Sequence, residues 1–344
     1  MASISTGEAR LSALSCSIQV SSRQRCNGRC KFCISRTTAN IVEDKKIPES
    51  LLFDDEPNMK PEIKLCDSNR LKVGLNYART LGASHAILTG KADPSQEDPN
   101  YLFNLVKLCR EYLPLVDFHT NGLLLQVGRP QHDLTELLAM AGLTMITFSI
   151  ASFDPDVNFR LMGVKQEPRV LIAHANELGL MVRCSLVANK SGVKDFAGVM
   201  EYIHQAGDLG AHAVVIREVW LPDQLLGDDK EVYDWNLANQ VDIGKIQSDF
   251  ESMVADKRNA FGSNAFDSVA VEKRNAYGLR IRDPLPWGTP VFTVDGVFND
   301  KNHGVNVTFA RCDEATTGRI IKSIVHKPDG HGYRNWDSNG DILY

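Results

Sequence analysis

No stretch of the 344 residues approaches the run of about 18 apolar side chains that a membrane-spanning helix requires, which excludes a helical membrane protein. The segment from Met1 to Leu14 carries Glu8 and Arg10 and has no apolar core, so it lacks the form of a secretory signal and a cytoplasmic protein is the default expectation. A large excess of one sign of charge is lacking. The 38 Lys and Arg against 43 Asp and Glu leave a net charge of -5, a balance that does not favour nucleic acid or another polyanion as partner. Low-complexity tracts are absent, and so is a disulfide framework. Of eight cysteines, Cys16, Cys66, Cys109, Cys184 and Cys312 are scattered singly, while three crowd between positions 26 and 33. Such crowding in a chain without a signal reads as metal binding rather than cross-linking. What is present is ordinary: 43% hydrophobic and 24% charged residues in a chain long enough to bury a core without staples.

From Leu14 to Pro222 strand-like and helix-like runs alternate. Leu14, Cys16, Ile18 and Val20 alternate with polar neighbours, the period-two mark of a strand. Leu71, Leu75, Ala78 and Leu81 recur at helical spacing behind an Asp67 or Ser68 cap, and Gly82 ends that helix. The pattern repeats through strands at His85 to Thr89, Leu115 to Thr120, Thr144 to Ser152, Leu180 to Val187 and Ala211 to Val219, spaced roughly 30 residues apart as β/α units are. Ser17 and Gln19, Asp117, His119 and Asn121, Thr147 and Ser149, and Arg183 and Ser185 each fall on one side of a strand. A doubly wound sheet is covered on both faces and is apolar on both, so polar strand faces favour a lined lumen. The reading is α/β: a partial (β/α)6 TIM-like barrel over 14–222, with 1–13 as an N-terminal extension and 223–344 as an α+β extension. The extension reads as an acidic loop at Asp223 to Glu231, one amphipathic helix near 240 to 257 and a β-meander, expected to pack over one end of the barrel.

Cys26-Asn-Gly-Arg-Cys30-Lys-Phe-Cys33 follows the first strand directly, where a barrel places its active-site loops. Three thiolates on one loop can hold one metal or one cluster. A structural zinc site wants four protein ligands, usually in two separated pairs, and no second pair lies nearby. A four-iron cluster held by three cysteines leaves one iron open to bind and activate a substrate. Zinc, or plain surface thiols, is the bland alternative.

Cys-x3-Cys-x2-Cys after the first strand of a β/α series resembles the signature of the radical S-adenosylmethionine (SAM) enzymes, and the resemblance spans roughly residues 14 to 222. It implies a [4Fe-4S] cluster on Cys26, Cys30 and Cys33. Phe32 matches the aromatic residue that the family sets beside the adenine. Gly90, Lys91 and Asp93, after the second strand, stand where a glycine-rich motif meets the SAM amino group, although Gly-Gly-Glu is not matched. His119-Thr120-Asn121-Gly122 resembles the third-strand motif of the molybdopterin-precursor cyclases, and Ser149 the serine at the SAM carboxylate, with Ala151 in place of the usual Asp. Arg183 and Ser185 hold fifth-strand positions that contact SAM in relatives, and Ile216-Arg217-Glu218 resembles the sixth-strand segment. In that family the reduced cluster cleaves SAM to a 5′-deoxyadenosyl radical that takes hydrogen from the substrate, so a one-electron donor such as flavodoxin or ferredoxin is implied.

A lumen lined by Ser17, Gln19, His119, Asn121, Ser149, Arg183 and Glu218 suits a small polar metabolite: a sugar, nucleoside or amino-acid derivative. His119, Glu218 and Cys312 are the candidate catalytic residues, the last as a hydrogen donor or methyl carrier. A lone cysteine is more often a small buried hydrophobe, and a strand histidine more often a satisfied core residue. Arg183 among apolar neighbours would be costly without a carboxylate partner, whether from SAM, the substrate or Glu218. Only Cys312 lies beyond Cys184, so auxiliary clusters are not expected. The runner-up readings are a peptide- or RNA-modifying enzyme using Cys312, and a non-catalytic iron–sulfur or zinc module.

Overall fold

The computed structural model describes residues 11–23, 25–37, 63–125, 133–222, 225, 229–260, 278–285, 289–295, 304–310, 320–336 and 342–344. Strands and helices alternate as the periodicity predicts: β1 (Ser12–Gln19), α1 (Ser68–Thr80), β2 (His85–Thr89), α2 (Pro99–Tyr112), β3 (Leu115–Thr120), α3 (Leu134–Met140) and β4 (Met145–Ser149). Then follow α4 (Pro155–Met162), α5 (Pro168–Glu177), β5 (Met181–Val187), α6 (Phe196–Asp208) and β6 (Ala213–Arg217). Aspartates start the helices. Asp67, Asp98, Asp133, Asp154 and Asp195 each accept a backbone N–H from the first turn of the helix they precede, meeting donors that the helix itself cannot satisfy. The Asp154-Pro155 pair does this for α4, a helix that the 30-residue rhythm had absorbed into a longer connection.

β1 to β6 run parallel in sequence order. One face of each strand is fully buried by Ala86, Leu88, Val116, Phe118, Ile146, Phe148, Val182 and Cys184 under the helices, and the other carries the polar set. This is the partial barrel expected.

The strands of the C-terminal extension join the same sheet at its two edges. The chain continues through α7 (Lys230–Asn239), α8 (Ile243–Ala260), β7 (Leu279–Ile281), β8 (Val291–Val294), β9 (Val305–Ala310), β10 (Ile320–His326) and β11 (Gly332–Tyr333). β9 joins β6 in parallel and carries the antiparallel β8 and β7 outward, while β10 crosses to the opposite edge and joins β1 in parallel. The single sheet has the order β11-β10-β1-β2-β3-β4-β5-β6-β9-β8-β7, an open arc with eight parallel strands at its centre. The physical reason is edge satisfaction. A six-stranded arc leaves two rows of unpaired backbone groups, and the extension pairs both.

α8 covers the outside of the added strands as the earlier helices cover theirs. The fully buried Phe250 ring sits 4.9 Å from Phe196, 5.4 Å from Phe292 and 5.3 Å from Phe309, each edge-on. Phe250→Ala would open a cavity where helix and sheet meet, and unfolding in urea is expected to show a loss of about 3–5 kcal/mol. No helix among the described residues is long and apolar enough to cross a membrane.

Candidate functional site

Because β1 to β6 are parallel, their C-terminal ends and following loops gather at one end of the arc. The cysteine loop lies there and is fastened from three sides. Gln96, on the turn after β2, accepts from the Asn27 N–H at 3.0 Å and donates to the Arg25 carbonyl at 3.2 Å. Asn121, at the end of β3, donates to Asn27 Oδ1 at 2.6 Å. The C-terminal end of α4 accepts from the loop backbone, Arg29 N–H to Met162 O at 2.8 Å and Lys31 N–H to Leu161 O at 2.9 Å. Gly163, with φ of 66°, ends α4 against Arg29, where any Cβ would stand 2.9 Å from the Arg29 side chain. A side chain there would be strained by conformation and by contact alike.

Cys26, Cys30 and Cys33 are all partly buried. Burial pushes the Cys30 thiol well above its ordinary range, and the neighbouring Cys33 and Cys26 push it further; burial also raises Cys26. Crowded, desolvated sulfurs that raise one another's pKa form thiolates only against a cation, which is what a metal or cluster supplies. Among the described residues no three His, Cys, Asp or Glu side chains gather as a shell for a single ion. Three thiols on one short loop are the donor set of a cluster held at three corners, with one iron left open.

Phe32 packs with Cys30 against Ala151, Leu161, Met162 and Val164, its ring centroid 6.5 Å from that of Trp235 on α7. Arg36, just past the last cysteine, pairs with Asp229 at the start of α7. The extension therefore walls one side of the loop, a contact no local sequence signal announced.

Gly90 and Lys91 lie on the turn after β2, and Asp93 is buried behind them. The Asp93 carboxylate accepts from Ser95 N–H at 3.0 Å, Ser95 Oγ at 2.6 Å, Thr120 Oγ1 at 2.9 Å and the Asn121 N–H, so it bolts the second loop to the end of β3. Gln166, absent from the sequence reading, does the same between β3 and β4. It donates to the Asn121 and Ser149 carbonyls and accepts from Asn158 Nδ2 at 2.6 Å. Ser149 and Ser185 are register partners on β4 and β5, and Ser185 Oγ accepts from Arg217 Nε at 3.2 Å. Ser17 bonds Ser323 on β10 at 2.7 Å, and Gln19 Nε2 donates to the Ser21 carbonyl at 3.0 Å, so the β1 face is occupied by its own neighbours. Glu218 follows β6 beside a cleft lined by Lys190, Leu237 and Gln240. Cys312 lies outside the described residues.

One layer deeper, β3, β4 and β5 bring four polar side chains together. Arg183 pairs with Asp117 through Nη2, and its Nε donates to Thr147 Oγ1 at 3.0 Å. Thr147 donates to Asp117 Oδ1 at 2.8 Å, and His119 Nε2 lies 3.0 Å from Asp117 Oδ2. Arg183 thus finds its carboxylate in Asp117, two strands away, rather than in Glu218. Burial alone would raise the fully buried Asp117 carboxyl, but Arg183 and His119 outweigh it and hold the group well below the usual carboxylate range. Burial lowers His119 despite Asp117, which keeps the imidazole neutral at pH 7.

An open parallel arc with a three-cysteine loop fastened over its first strand is the class of architecture that fold and site define. No family profile and no curated protein matches the sequence. The solved structures it is similar to include Streptococcus suis SuiB bound to S-adenosylmethionine, at 15% identity and a TM-score of 0.50, covering 96% of this chain and 63% of that one. SuiB bound to its precursor peptide SuiA is similar at 15% identity and a TM-score of 0.50, with 94% of this chain and 60% of that one covered. The chain thus spans less than two thirds of the length of SuiB. At this identity the likeness shows the fold alone.

Proposed function

We propose that the chain is a radical SAM enzyme. The observation that carries this reading is the three-thiol loop fastened to the C-terminal end of the arc by Gln96, Asn121 and the end of α4. When bound, a [4Fe-4S] cluster on Cys26, Cys30 and Cys33 would pass an electron into SAM and supply a 5′-deoxyadenosyl radical. The chain's own part is placement. Phe32, backed by Trp235, offers a ring face for the adenine; Ser149 and Ser185 offer hydroxyls, and Gly90, Lys91, Asp93 and Asn121 shape the loops around the amino-acid end. The helices cover the outside of the sheet, and the added strands lengthen it at both edges. His119, Glu218 and Cys312 are the groups we assign to proton or hydrogen transfer, and flavodoxin or ferredoxin the class of electron donor.

The substrate we favour is a small polar metabolite, because the deep layer is ionic and partly enclosed. A peptide is the second reading, supported by the likeness to SuiB, which was solved with its precursor peptide. Anaerobic reconstitution is expected to give a brown protein with about four irons per chain. With dithionite and SAM it should release 5′-deoxyadenosine. One bound zinc, no colour and no SAM cleavage would sink the enzymatic reading and leave a metal-binding module.

A further inference from the structure

The deep ionic layer has donors left over. Arg183 spends Nη2 on Asp117 and Nε on Thr147, and Nη1 makes no hydrogen bond to the described residues. The Arg183 side chain as a whole is 21% accessible, and that of Asp117 is fully buried. His119 spends Nε2, which lies 3.0 Å from Asp117 and 3.1 Å from Arg183, and its Nδ1 is likewise unengaged by the described residues. The ionisable groups on the inner faces of β2 to β6 are His85, Asp117, His119, Arg183 and Arg217. Burial lowers both histidines below their ordinary value. A partly buried guanidinium, held by a carboxylate and a hydroxyl and left with an N–H group that no described residue engages, is suited to an oxyanion.

Depth says whose oxyanion. Arg183 precedes Ser185 by two residues on β5, about 6.6 Å further from the cysteine loop. Its layer is the one that Thr147 and His119 share, below the Ser149 and Ser185 pair.

We propose that Arg183, positioned by Asp117 and Thr147 and flanked by His119, binds an anionic group of the substrate, a carboxylate or phosphate, beneath the SAM layer. This rests on the radical SAM reading for the identity of the upper layer, but not for the anion site itself. Asp117 acts here as a positioning residue, fixing the guanidinium through Nη2 and leaving Nη1 unspent.

The test is calorimetric titration of the full-length, cluster-reconstituted chain with inorganic phosphate and with succinate, each in saturating SAM. At least one anion is expected to bind, and Arg183→Gln to weaken it tenfold or more. The Asp117→Asn/Arg183→Gln pair should do the same, keeping hydrogen bonds while removing both charges. Tighter phosphate assigns a phosphorylated substrate, and tighter succinate a carboxylate. Absence of binding by the unaltered chain, or equal binding by Arg183→Gln, overturns the proposal. So does a tenfold loss of SAM affinity in Arg183→Gln with the anions competing against SAM, since the guanidinium would then hold the SAM carboxylate. Anion binding without SAM cleavage would uphold this site and remove the radical chemistry above it.

Discussion

Cys30→Ala is expected to leave a colourless protein with almost no iron and no detectable 5′-deoxyadenosine from SAM and dithionite. Of the three cysteines it is the one whose thiol burial and neighbouring sulfurs raise most clearly, and it sits with Phe32 on the apolar patch over α4. Two thiolates cannot hold a cube against solvent, whereas the loop itself is fixed by backbone and amide bonds that do not involve the Cys30 sulfur. The variant should therefore unfold in urea close to the unaltered apoprotein while its visible absorption disappears. Iron content and colour left intact in Cys30→Ala would remove the three-cysteine ligand set.

Asp117→Ala should be the most destabilising single change in the lumen. It strips Arg183 of its counter-charge and Thr147 of its acceptor inside a partly enclosed layer. Losing one partner of a buried pair costs about 3–5 kcal/mol, and the partial exposure of Arg183 places this case near 3 kcal/mol. Adding Arg183→Leu should recover most of the loss, because the uncompensated charge is then gone. The pH dependence follows from the depressed Asp117 value. The carboxyl is ionised in the folded chain down to lower pH than in the unfolded one, so its contribution is complete above the ordinary value of 3.8 and is lost as pH falls below it. Urea midpoints at pH 7 and pH 3 should show the difference, and Asp117→Asn should flatten it.

Much of the site was legible because its signals are local. The spacing of Cys26, Cys30 and Cys33 needs no tertiary information, and neither does the alternation that places His119, Thr147, Arg183 and Ser185 on inner strand faces. Gln96, Gln166 and Trp235 were not legible. Each acts across the fold, on Asn27, on the Asn121 and Ser149 carbonyls, and on Phe32, and nothing in their own neighbourhoods marks them. Arg183 shows the boundary between the two kinds of information. Its need for a carboxylate followed from desolvation alone, but which carboxylate depended on register.

The same division runs through the fold. Periodicity and aspartate caps determined that β/α units follow one another and that polar faces turn inward, since hydrophobic burial at spacing two or 3.6 is a property of consecutive residues. Where β9 and β10 go is a matter of which sheet edges remain unpaired after β1 to β6 have formed. Backbone donors and acceptors carry no side-chain code, so only the assembled arc decided that the C-terminal strands extend it at both ends and set Trp235 beside the cysteine loop.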